Sequence, residues 1–293
     1  MHPYFPEGVN PMMPASEDLH RGISTGEIFQ ALCVKCDEFH NLHVDLGDIR
    51  GIIPREEAAL GIRERAVREI AILSRVGKYV CFQVVGFDSS GTAILSRRAA
   101  QAEAKSYFIN TLRPGEIIPA VVQNTSGFGV FCDIGCGYTT LMRIERCCVS
   151  RLAHTNELFS AGQHIFGAVL GVDETAGLIH LSGRELLGTW EENANQFRPG
   201  QTVAGTVRSI MPYGVFIELT PNLSGLAESG VPAAEGDGVS VYIRSIQTHK
   251  HKIKLSVLER LPTPIPSRLN YIHQSGCMTK WEYFPGSSAV TYF

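Results

Sequence analysis

The sequence has no apolar run near the ~20 residues that a membrane-spanning helix requires, so a helical membrane protein is not expected. Its opening residues, MHPYFPEGVNPMMPASEDLH, lack the basic start and apolar core of a secretory signal. They read as a loose, proline-punctuated leader, and the chain is expected to be soluble and cytoplasmic. Positive charge is not in excess either. Lys and Arg number 26 against 29 Asp and Glu, a formal net charge of −3. Neutralisation of phosphates by Lys and Arg supplies most non-specific affinity for nucleic acids. A nucleic-acid ligand would therefore need local basic clusters and base stacking.

Catalytic signatures are missing as well. There is no phosphate-cradling Gly-x-x-x-x-Gly-Lys run, no Gly-x-Ser-x-Gly elbow and no His-Glu-x-x-His. Neither an enzyme nor a cofactor is expected. The eight cysteines do not form a disulfide framework: Cys147 and Cys148 are adjacent, Cys277 sits near the end, and the rest fall in apolar patterns. Such cysteines are usually small buried hydrophobes in a reducing compartment. Cys33-x-x-Cys36 followed by His40-x-x-His43 has zinc-ligand residue types. Only three residues separate the two pairs, which flank one tight hairpin, so no metal site is expected.

What the chain does have is a globular composition, 44% hydrophobic and 19% charged, over 293 residues, a length suited to two or three compact units. It also has a repeat, which organises everything else. Leu112-Arg113-Pro114-Gly115-Glu116 aligns with Phe197-Arg198-Pro199-Gly200-Gln201 at an offset of 85. The same offset carries Phe128-Gly129-Val130-Phe131 onto Tyr213-Gly214-Val215-Phe216, and Asp133 onto Glu218. A more diverged copy lies upstream, where Val44-Asp45-Leu46-Gly47 matches Cys132-Asp133-Ile134-Gly135. All three copies close alike, on Ala93-Ile94-Leu95-Ser96, Ile179-His180-Leu181-Ser182 and Ile253-Lys254-Leu255-Ser256. Asp45, Asp133 and Glu218 recur at one strand position, which points to structure rather than to an acid–base pair.

Within each copy, apolar runs rich in Val and Ile alternate with turn signals, giving about five short strands. That count fits an oligonucleotide-binding barrel, whose closure leaves no open sheet edge. The expected organisation is a flexible leader at 1–20 and a first, divergent barrel at 21–98 with a helical insertion from Arg55 to Arg75. A connecting helix at 99–111 leads to a second barrel at 112–184, and a second helix at 185–197 to a third barrel at 198–260. A proline- and aromatic-rich tail fills 261–293, packing on the third barrel or on a partner.

The chemistry is concentrated in the aromatic–Gly–Val–Phe motif. In a regular strand, residues three apart face opposite sides. If the first ring is still in the loop and Gly129 or Gly214 turns the chain, both rings reach one surface. Exposed rings on a barrel face let bases stack, at roughly 1–3 kcal/mol per base.

The Phe-Gly-Val-Phe-x-Asp-hydrophobic-Gly run, with the closing Ile-x-Leu-Ser, resembles the S1-type RNA-binding domain, the repeating unit of bacterial ribosomal protein S1. The resemblance covers Gly26 to about Arg260 in three copies. It implies an all-β chain of three tandem five-stranded barrels that binds single-stranded RNA, mRNA included, without catalysis. It implies aromatic pairs at Phe128 and Phe131 and at Tyr213 and Phe216. The family histidine falls near Arg143 in the second copy and near Glu228 in the third. His180 and the basic hairpin of His249, Lys250, Lys252 and Lys254 complete the candidate set. In the first copy His40 and His43 replace the aromatic pair, which suggests docking on the small ribosomal subunit rather than on RNA. A protein-docking adaptor without RNA stays open as the alternative.

Overall fold

The structure is a computed structural model and describes residues 2–9, 11–228, 233–263 and 268–293. Helix α1 (Ser16–Thr25) precedes the first barrel, built from β1 (Ile28–Cys36), β2 (Leu42–Leu46), β3 (Ile49–Ile53), helix α2 (Ile70–Leu73), β4 (Tyr79–Phe87) and β5 (Ala93–Ser96). Helix α3 (Arg97–Thr111) leads into the second barrel of β6 (Ile117–Thr125), β7 (Gly129–Gly135), β8 (Tyr138–Arg143), β9 (His164–Asp173) and β10 (Leu178–Ser182). Helix α4 (Trp190–Ala194) precedes the third, of β11 (Thr202–Met211), β12 (Gly214–Thr220), β13 (Leu223–Ala227), β14 (Gly238–Gln247) and β15 (Lys252–Arg260). A final hairpin pairs β16 (Lys280–Glu282) with β17 (Val290–Tyr292).

Each barrel is closed and has the same strand order, first-second-third-fifth-fourth, with the third and fifth strands parallel and every other pair antiparallel. Period-two burial shows why these segments are strands. On β14, Val241 and Ile243 are in the core while Tyr242 and Arg244 face out. The third core gathers Val207, Val215, Ile217, Leu223, Val239 and Leu255 with Trp190 of α4 beneath it. Each such side chain contributes about 1.5–3 kcal/mol on burial. Six of the eight cysteines are buried and all eight are free thiols.

Three segments differ from their expected form. The loose leader expected at 1–20 is packed at residues 2–9, where Glu7 is buried and the carbonyl of Phe5 accepts the Cys136 N–H at 2.8 Å, and from Ser16 it is already α1. The insertion at 55–75 holds only a 3₁₀ turn at Arg55–Glu57 and the four-residue α2, the rest being turns closed by local bonds such as Ala66 N–H to Gly61 carbonyl at 2.8 Å. The segment at 185–197 is not one helix but a 3₁₀ turn at Arg184–Leu187 and α4, broken at Gly188. Thr189 then caps α4, accepting from the Glu192 N–H while the Glu192 carboxylate accepts the Thr189 N–H.

The tail lies across two barrels and the segment joining them. Met278 N–H donates to Gly115 and Ile117 N–H to Gly276 in the second barrel, Ile272 N–H bonds Leu186 in the join, and His251 of the third barrel stacks on Phe284 at 4.2 Å. Its prolines Pro264 and Pro266 lie outside the described residues.

Candidate nucleic-acid interface

One repeated register places the motif side chains. On β7, Phe131 pairs with Leu141 of β8, Leu141 with His180 of β10, and His180 with Gly171 of β9. On its other side Phe131 pairs with Asn124 of β6. The third barrel repeats this row as Ser209, Phe216, Leu226, Lys254 and Ser245. Paired residues share a face, and every member of both rows is at least partly exposed. His180 and Lys254 therefore occupy the same place, two strands from the inner ring of each aromatic pair.

The second ring of each pair comes from the preceding loop. Phe128 is 58% exposed and Tyr213 65% exposed, so both have free faces. Phe128 stands edge-on to Phe131 at 5.8 Å and Tyr213 edge-on to Phe216 at 6.3 Å, both at 90°. The intervening glycine makes this possible by close approach. A Cβ on Gly129 would lie 2.5 Å from the Met142 carbonyl oxygen, and one on Gly214 the same 2.5 Å from that of Ala227. Without side chains there, the chain can cross tight over the neighbouring strand and deliver both rings to one side.

Positive charge flanks each pair by different routes. In the second barrel Arg143 lies opposite Gly129 in register and is exposed, 3.4 Å from Glu145. The third barrel has Glu228 at the corresponding place, but Arg244 of β14 reaches it at 2.7 Å and brings a guanidinium to that corner. Arg244 was not among the sequence candidates; its outward place in the β14 alternation was the available signal.

The basic hairpin is divided. Lys254 is in the row with Phe216. Lys252 lies one pleat period further from Tyr213, about 7 Å at the usual strand rise. His249 and Lys250 lie in the 3₁₀ turn beyond it, so the register does not bring them to the aromatic pair. His251 is used for packing, edge-on to Trp190 at 5.3 Å as well as stacked on Phe284.

In the first barrel the equivalent row is Lys35, His43, Ile52, Ile94 and Gly86, so His43 occupies the inner ring position. Its Nε2 lies 3.2 Å from Asp37, and Nδ1 of His40 lies 3.5 Å from Glu69, so carboxylates engage both imidazoles. The exposed ring here is Phe39, 69% exposed at the hairpin tip, which sequence matching passed over because it is one residue off the motif. Cys33 points into the core while the paired face carries His43 outward, which splits the zinc-like residue set between two faces.

No protein-family model matches the chain. Over 274 residues it is 31% identical to the small ribosomal subunit protein bS1 homolog of Bacillus subtilis, covering 88% of this chain and 69% of that protein. The chain belongs to the bS1 family. Other bS1 proteins are more distant and longer: that of Leuconostoc lactis is 27% identical, with 75% of this chain and 54% of that protein covered. For Rhizobium meliloti bS1 the figures are 24%, 75% and 41%. The chain thus spans about half the length of these two. A Streptococcus pneumoniae multidomain protein with nucleic acid binding domains superposes with a TM-score of 0.27 at 16% identity, over 80% of this chain and 73% of that one. At that score nothing is carried over from it. Among the described residues no helix is long and apolar enough to cross a membrane.

Proposed function

We propose that this chain is a non-enzymatic, cytoplasmic protein of translation that binds single-stranded RNA, mRNA included, on the outer rows of its second and third barrels. The observation that carries the reading is the doubled constellation: an exposed ring, a second ring edge-on to it, and cations at fixed register places around both. Membership of the bS1 family supports it, since the relatives are named as proteins of the small ribosomal subunit. The net charge of −3 is compatible because Arg143 stands beside the second-barrel pair and Lys254 in the third-barrel row. Stacking on rings is tolerant of base identity, so modest sequence preference follows.

The first barrel is read as the part that faces the small subunit. Its imidazoles are engaged by carboxylates, and Val34, Phe39 and Val85 expose apolar surface. That exposed apolar surface is also what favours the protein-docking alternative for the chain as a whole. Anisotropy of a labelled single-stranded RNA with wild type and with the double variant Phe128→Ala/Tyr213→Ala, across a salt series, separates the two. Salt-sensitive binding lost in the variant supports the RNA reading. No binding at low salt would leave the barrels as docking modules, to be followed by co-sedimentation with small subunits.

A further inference from the structure

We infer that the cleft between the second and third barrels carries the RNA strand from one aromatic platform to the next, with Arg151 as the contact inside it and His154 beside the Phe128 loop on the way in. The inference rests on the RNA-binding reading above. The cleft measures about 610 Å³ and is lined by Arg151, Ala153 and Glu157 from the second barrel, and by Ser209, Met211 and Glu235 from the third.

The walls of the cleft are tied to both platforms. Ser209 is the cross-strand partner of Phe216, and the exposed Met211 stands two residues before Tyr213. On the second-barrel side, the segment holding Arg151 and His154 is fastened to the loop that presents Phe128. Ser126 N–H donates to Thr155 Oγ1 at 3.1 Å, and that hydroxyl donates to the Ser126 carbonyl at 2.8 Å. The His154 ring passes 3.8 Å from the place of a Cβ on Gly127, the residue before Phe128. A strand leaving Phe128 toward Tyr213 meets this imidazole first and Arg151 next.

The charges are arranged to leave Arg151 for a phosphate. It is exposed and has no ion-pair partner among the described residues. Glu157, its acidic neighbour, is turned inward: Oε1 accepts the Ala153 and His154 amides at 2.8 and 2.9 Å, and Oε2 pairs with Arg208. Arg208 also holds Glu218 through contacts of 2.8 and 3.0 Å. This Glu157–Arg208–Glu218 bridge joins the barrels and fixes the spacing of the platforms. Binding at one therefore presents the strand to the other at high effective concentration. Glu235, exposed on the rim, is the carboxylate left facing the path.

The test uses the full chain and oligouridylates of about 5 and about 16 nucleotides, near the two ends of the site sizes such barrels show. Wild type should hold the longer strand much more tightly. Arg151→Glu should weaken the longer strand about 10-fold and leave the shorter within about twofold, as loss of one phosphate contact implies. Glu235→Lys should tighten the longer strand and not the shorter. Both positions are exposed, so neither change threatens folding. If each variant shifts both lengths by one common factor, or shifts neither, the cleft carries no strand and the inference is overturned while RNA binding stands. Wild type that binds neither length overturns the RNA-binding reading, and this inference with it.

Discussion

Arg97 and Glu7 face each other through two hydrogen bonds, 2.6 Å from Nε to Oε1 and 2.8 Å from Nη2 to Oε2, with both side chains almost wholly buried. The pair is where the leader and the first two barrels meet. Glu7 Oε1 also accepts the Cys81 N–H of β4 at 3.1 Å, and Arg97 Nη1 donates to the Ala58 carbonyl at 3.1 Å. The Glu7 N–H donates to Asp133 Oδ2 of β7 at 2.8 Å. Breaking a buried pair from one side leaves an uncompensated charge, which costs about 3–5 kcal/mol. Glu7→Ala should therefore lower the unfolding free energy by about that much in urea. A loss below about 1 kcal/mol, the scale of an exposed pair, would mean that the leader is not docked in solution.

Asp133 makes the same junction sensitive to pH. Burial, then the Glu7 charge, pushes its carboxyl up to about 7, against the Glu7 and Gly135 amides and Arg97. An unfolded Asp titrates near 3.9. Between those values the folded chain holds more protons, so this group's contribution is complete below about pH 4 and is lost as pH rises through about 7. Glu7 acts in the opposite sense. Burial would raise it, but Arg97, Arg75 and the Cys81 amide outweigh that and leave it below its usual range. Its contribution is present above the usual Glu range, about 4.3, and is lost only in acid. Above pH 5 the Asp133 slope should therefore stand alone in a comparison with Asp133→Asn. The wild-type-minus-variant unfolding free energy is expected to decline from pH 5 to 8. A flat difference would show the carboxylate ionised throughout, held by its amide donors.

The barrels were legible because a closed sheet imposes period-two burial, and the 85-residue offset repeated that pattern with its turns. That Phe128 meets Phe131, and Tyr213 meets Phe216, could be anticipated from the ring–Gly–Val–Phe motif repeated at that offset. What local pattern could not show was partnership across sequence distance. Glu7 looks like a charge in a proline-rich leader until Arg97, 90 residues on, closes over it. Arg244 answers Glu228 from another strand, and His251, inside the basic hairpin, is held between Trp190 and Phe284. The hairpin was read as one patch because its residues are adjacent in sequence; strand geometry spreads them along the barrel instead.

The glycine of the motif gives a test of ring placement that spares the rings. In Gly129→Ala the new methyl would collide with the Met142 carbonyl oxygen and the Leu141 side chain. Backbone there cannot yield as a flexible side chain would, so the cost should be about 1–3 kcal/mol. The Phe128 loop should lift away from Phe131, weakening RNA binding through the second barrel with the third intact. If Gly129→Ala binds as wild type does, while Phe128→Ala does not, the glycine is not what sets the ring pair.

Phe216 and Lys254 share one row but should fail in different ways when truncated. The ring offers a stacking surface and no charge, so Phe216→Ala should lower affinity by about 1–3 kcal/mol with the salt dependence unchanged. Lys254 would meet a phosphate, and its loss should weaken binding to all sequences alike while lowering the slope of log K against log salt by about 1. The slopes are the stronger measurement, because both variants weaken binding and affinity alone cannot tell them apart. His180 occupies the equivalent place in the second barrel. Equal slopes for Lys254→Ala and wild type would remove the row lysine from the phosphate path and leave the platform to its rings.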